Sequence, residues 1–222
     1  MTETLRLLGI LAAGAGAVAV ALAGGAARDR AQADGRLQTT DGDTVVVTEA
    51  ARAAGPRFDA ELAPADRAWI LAALARARPE AARLIAEVDG LVQFGAVVEP
   101  GALGVTRSGP QGFTVDLDVA RLNNDRALDR ATVVLHELGH VVDFALVPAA
   151  VDEKLDAQIP EGGPCGLALD CDVLEERFAD TFAKWALNGA VSEFGAGYGI
   201  ALPPSLEDWG APLAQIALTL GR

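Results

Sequence analysis

Residues 125–148 read DRALDRATVVLHELGHVVDFALVP, and this stretch organises the rest of the chain. Its apolar positions Leu128, Ala131, Leu135, Leu138, Val142 and Ala145 are spaced 3, 4, 3, 4 and 3 apart. That spacing predicts one helix from about Asp125 to Leu146, closed by Pro148, with a single buried stripe and a polar face opposite. Away from the stripe lie His136, Glu137 and His140 of the run His136-Glu137-Leu138-Gly139-His140. These are the only two histidines among 222 residues. Histidines at i and i+4 project from one helix face a turn apart. Two imidazoles so placed can hold one Zn²⁺ at about 2.0–2.1 Å each, with the intervening Glu137 beside the ion, where it can take a proton from water.

A third protein ligand has to come from elsewhere. One class of such sites extends to H-E-x-x-H-x-x-G-x-x-H, but here those later positions hold Asp143 and Leu146. With no histidine left, the donor is a carboxylate. Downstream, a helix is predicted from Asp172 (VLEERFADTFAKWAL), where Asp172 and Glu175 form a capping box and Asn188-Gly189 ends the run. Glu176 and Asp180 share one face of it, while Leu174, Phe178, Phe182 and Trp185 share another. Glu176 is therefore the expected ligand and Asp180 the expected acceptor behind a ligand imidazole. Glu175 is the nearest rival, although the capping box already employs it.

The segments before the motif alternate in type. Thr44–Thr48 (TVVVT) reads as a short strand. Pro64 and Pro79 each open a helix, the second stopped by Gly90. LVQFGAVV, GVTR and GFTVDLDV read as three strands, and SGPQG makes the last two a hairpin. Residues 149–171 read as a loop rich in Gly, Pro and acid. A terminal amphipathic helix is expected from Ser205.

HELGHVVD followed by EERFADTFA resembles the zinc metallopeptidases of the anthrax lethal factor and Pro-Pro endopeptidase group. The likeness covers about residues 90 to 190. It implies an α+β, zincin-like domain with a small twisted sheet, the active-site helix beneath it and a helical C-terminal half. It implies peptide-bond hydrolysis with one Zn²⁺ per chain held by His136, His140 and Glu176, and Glu137 as general base. Asp143 and Asp180 then orient the ligands or brace the helix. In this family the strand before the motif helix lines the cleft and pairs with a peptide or protein substrate in extended conformation. GFTVDLDV, around Phe113 to Val119, stands in that place. Family members also carry a tyrosine shortly before the glutamate ligand, as donor to the developing oxyanion. CGLALDCDVLE has none, and the chain's single tyrosine, Tyr198, falls later. Either Tyr198 or an arginine substitutes, or the enzyme is slow; the plain alternative for Tyr198 is half-buried packing.

Composition limits the remaining possibilities. Lys and Arg number 18 against 31 Asp and Glu, a net charge of −13, which argues against binding nucleic acid or an anionic membrane through bulk charge. Residues 7–27 (LLGILAAGAGAVAVALAGGAA) are uncharged and follow Arg6. They read as a secretory signal, with cleavage after Ala23 or Ala27, or alternatively as an uncleaved membrane anchor. The division expected is therefore 1–27 leader or anchor, 28–43 linker and 44–222 catalytic domain, in a secreted or extracytoplasmic protein. Cys165 and Cys171, six positions apart, are expected to form a disulfide in that setting.

Overall fold

The computed structural model describes residues 36–38, 44–46, 55–96, 101–160, 174–190 and 200–220. These show an α+β protein with a small mixed sheet and seven α-helices. Strands β1 (Arg36–Gln38) and β2 (Thr44–Val46) pair antiparallel, so a strand lies within the stretch that composition marks as a linker. The main sheet contains β3 (Arg57–Phe58), β4 (Val92–Ala96), β5 (Gly104–Gly109) and β6 (Gly112–Leu117) in the order β3-β4-β6-β5. β3, β4 and β6 run parallel, and β5 returns antiparallel to β6. The β5–β6 hairpin forms as expected from SGPQG. Gly112 sits at φ 115°, and a Cβ there would lie 2.2 Å from the Leu91 carbonyl oxygen, so the turn requires glycine.

Helices α1 (Pro64–Leu74) and α2 (Pro79–Val88) both begin with proline at their first positions, where no amide is needed. α2 buries Ala81, Leu84, Ile85 and Val88 along one stripe. A 3-10 turn, Asp89–Leu91, leads into β4. The motif helix, α4 (Arg130–Leu146), starts later than its periodicity predicts. Asp129 caps it by accepting from the Ala131 amide, and residues 119–124 form a separate short helix, α3 (Val119–Asn124), capped by Asp118. Pro148 does end α4, but it also occupies the N-cap position of α5 (Ala149–Asp156), so part of the expected loop is helical.

α6 (Leu174–Ala186) ends where Asn188 and Gly189 adopt left-handed conformations, at φ 55° and 73°. α7 (Leu206–Leu220) is capped by Ser205 Oγ, which accepts from the Asp208 amide. Phe178, Phe182 and Trp185 of α6 pack with Trp209 of α7 in a buried aromatic cluster.

One expectation for α4 is overturned. Every residue from Ala131 to Asp143 is buried, so the helix has no solvent-facing polar side. It lies against α6, α1, α2 and β5, which together cover it. His136 and His140 face each other and the Glu176 carboxylate from α6, and Glu137 meets the Thr106 hydroxyl of β5.

Candidate metal centre

α4 supplies His136, Glu137 and His140, and α6 supplies Glu176. The two helices approach closely at Gly139. A Cβ at that position would lie 2.8 Å from Ala179 Cα and 3.1 Å from Ala179 O. The glycine inside the motif thus lets the α6 backbone rest on α4. Glu176, three residues before Ala179, is thereby brought to the histidine face.

His136 Nε2 lies 3.1 Å from Glu176 Oε2, and His140 Nε2 lies 3.6 Å from Glu176 Oε1. The imidazoles stand edge to face, with centroids 5.0 Å apart. One ligand atom from each residue falls within 4.8 Å of the others, so this group could bind a metal ion. Two ligands of one tetrahedral ion, each at about 2.0–2.1 Å, lie about 3.3 Å apart. The separations of 3.1 and 3.6 Å bracket that value. His136 and Glu137 are each 3% exposed and His140 is 9% exposed, whereas the Glu176 side chain is 27% exposed. The site therefore opens past Glu176.

Burial dominates the electrostatics here. It would lower the His136 pKa, but the contact with Glu176 and the charges of Glu137, Glu176 and Asp180 outweigh it, and the value is raised. Burial, reinforced by His136, lowers His140 to about 4, which leaves a neutral ring suited to ligation. Burial raises the pKa of Glu137, opposed by His136 and by a hydrogen bond from Thr106.

The structure thus brings together His136, Glu137, His140 and Glu176. Asp143 is buried on α4, one turn past His140. Asp180 is fully buried on α6 and accepts from Lys184 Nζ at 2.5 Å; Lys184 also donates to the Ile200 carbonyl. Its negative charge acts to raise the His136 pKa, while the hydrogen bond described for its carboxylate is with Lys184 rather than with an imidazole. Tyr198, Cys165, Cys171 and the Asp172 cap lie outside the described residues, as does the leader at 1–27. No helix among the described residues is long and apolar enough to cross a membrane.

Two contributors were not anticipated. Thr106 of β5 donates its hydroxyl to Glu137 Oε2 at 2.8 Å. Gly104 of the same strand lies directly against the Glu137 side chain. Nothing in GVTR marks it beyond being a strand, because the contact depends on the sheet order. That order also corrects the cleft-lining strand. GFTVDL is interior, paired with β4 on one side and β5 on the other. Its backbone groups are taken, and Val119 belongs to α3. The strand at the sheet edge beside Glu137 is β5.

Comparison with protein-family models, with curated proteins and with solved structures finds no match for this chain.

Proposed function

We propose that this chain is an exported zinc metallopeptidase of zincin-like fold, related in its site to the lethal factor and Pro-Pro endopeptidase group. The observation that carries the reading is the convergence of His136, His140 and Glu176 around one point, with Glu137 on the same helix. Two nitrogens and one carboxylate oxygen, buried and open on one side, suit a catalytic zinc with a vacant fourth position. Bound there, zinc would acidify water and polarise the scissile carbonyl. Glu137 takes the proton from the attacking water and delivers it to the leaving amine. Thr106 holds the Glu137 carboxylate while it does so. β5 ends the strand order of the described four-stranded sheet, the position at which an extended peptide would be added as a further strand. Export rests on the apolar run at 7–27.

The test is a peptide-library screen of zinc-loaded protein with and without chelator. Glu137→Gln is expected to keep one zinc per chain and lose hydrolysis by about 10²–10⁴-fold. Undiminished cleavage by that variant refutes the base, and stoichiometric zinc in Glu176→Ala at unchanged affinity refutes the ligand. A second reading, a zinc-holding domain that binds a peptide without cleaving it, is favoured by the deep burial of Glu137. Peptide binding without cleavage in the same screen would establish it.

A further inference from the structure

Glu137 is a long, buried side chain whose carboxylate has to be aimed. Two residues of β5 constrain it. A Cβ at Gly104 would sit 2.5 Å from Glu137 Oε1 and 2.7 Å from Cγ and Cδ, so the bare strand backbone forms one wall of its slot. Thr106 Oγ lies 2.8 Å from Oε2 and 3.1 Å from the Glu137 backbone oxygen. A hydroxyl has one proton, and the shorter of the two contacts is to the carboxylate, so the proton goes to Oε2. Positions 104 and 106 share one face of the strand, as the two-residue period of a β-strand requires. Among the described residues, Thr106 is the one side chain that hydrogen-bonds this carboxylate.

We propose that Thr106 is the positioning residue for Glu137. The inference rests on the peptidase reading for its kinetic consequence, but not for its structural one. Gly104 and Thr106 lie on the face of β5 that meets the Glu137 side chain. The residue acts through Glu137 and touches neither histidine nor Glu176 in any described hydrogen bond.

The experiment compares Thr106→Val, which keeps the shape and removes the donor, with Thr106→Ser, which keeps the donor. Zinc content and affinity are measured for both, crystal structures of the zinc-loaded variants are solved, and kcat and KM are measured on a peptide that the wild type cleaves. Thr106→Val is expected to bind zinc as the wild type does and to show the Glu137 carboxylate displaced. Its kcat should fall by about 10–100-fold with KM nearly unchanged. Thr106→Ser should restore both position and rate. A Glu137 carboxylate that stays in place in Thr106→Val, with kcat unchanged, overturns the proposal while leaving the peptidase reading intact. Conversely, if the wild type cleaves no peptide but Glu137 moves in the valine variant and returns in the serine variant, the positioning role stands and the peptidase reading fails.

Discussion

Replacing Gly139 with alanine sets two effects of opposite sign against each other. Inside a helix, alanine is favoured over glycine by about 0.5–1 kcal/mol, so an isolated α4 would gain stability. The new Cβ, however, would lie 2.8 Å from Ala179 Cα and 3.3 Å from Ala179 Cβ. Carbon atoms pack at about 3.5–4.0 Å, so α6 has to retreat by roughly 0.7–1 Å. Overpacking of this kind costs about 1–3 kcal/mol and exceeds the helical gain. The larger consequence falls on the metal. Glu176 travels with α6, and ligand distances tolerate only about 0.2 Å. Affinity for the proposed zinc should therefore drop by about 10–100-fold, the range seen when the support of a metal site is disturbed. Urea unfolding of metal-free protein and a competitive chelator titration read the two effects separately. Because the closest clash is with the Ala179 backbone, adding Ala179→Gly should give little rescue. A Gly139→Ala protein that is more stable than wild type, with unaltered zinc affinity, would refute the close helix crossing.

Two further outcomes follow from buried charge. Burial raises Asp89 from 3.8 to about 6, so the stability of its neutral form is fully present below about pH 3.8 and is lost as pH rises through about 6. Asp89→Asn should therefore stabilise the protein at pH 7.5 by about 1–2 kcal/mol, after allowance for the residue's partial exposure, and leave it unchanged at pH 3.5. Equal urea midpoints at pH 7.5 would contradict this. Lys184→Met strands the buried Asp180 carboxylate and should cost about 3 kcal/mol, most of it regained in Asp180→Asn/Lys184→Met. Thermal melts of the single and double variants check it, and a single variant within about 0.5 kcal/mol of wild type would show that the pair is not needed.

What could be read in the sequence was local. Pro64 and Pro79 mark α1 and α2, SGPQG marks the hairpin, and Asn188-Gly189 marks the end of α6, because each uses a backbone constraint carried by the residue itself. The spacing of His136 and His140, with Glu176 as the best-placed carboxylate of the downstream helix, likewise picked out the three residues that converge. Other features depend on pairing over distance. Amphipathic spacing predicts a half-exposed α4, yet its polar face is covered because its polar residues meet partners from α6 and β5. The periodic run through Leu128 hides the break before Asp129, since the leucine belongs to the connection and still packs on the core. α5 is masked by its acidic composition and by Pro148, which reads as a stop although it also serves as a start. The place of β5 at the sheet edge, and hence the roles of Gly104 and Thr106, cannot be inferred from strand propensity at all.

Enclosure of α4 on every side bears on how the protein opens. The amides of a helix without a solvent face are released only when its neighbours separate, so those of residues 133–143 belong to the last unit to exchange with solvent. The outer edge of β5, with no strand beside it among the described residues, belongs to a far more labile layer. Both histidines are thus anchored in the slowest-exchanging part of the chain, and the strand that aims the base lies in a readily yielding part. Fluctuations of that edge can occur without disturbing the histidine pair.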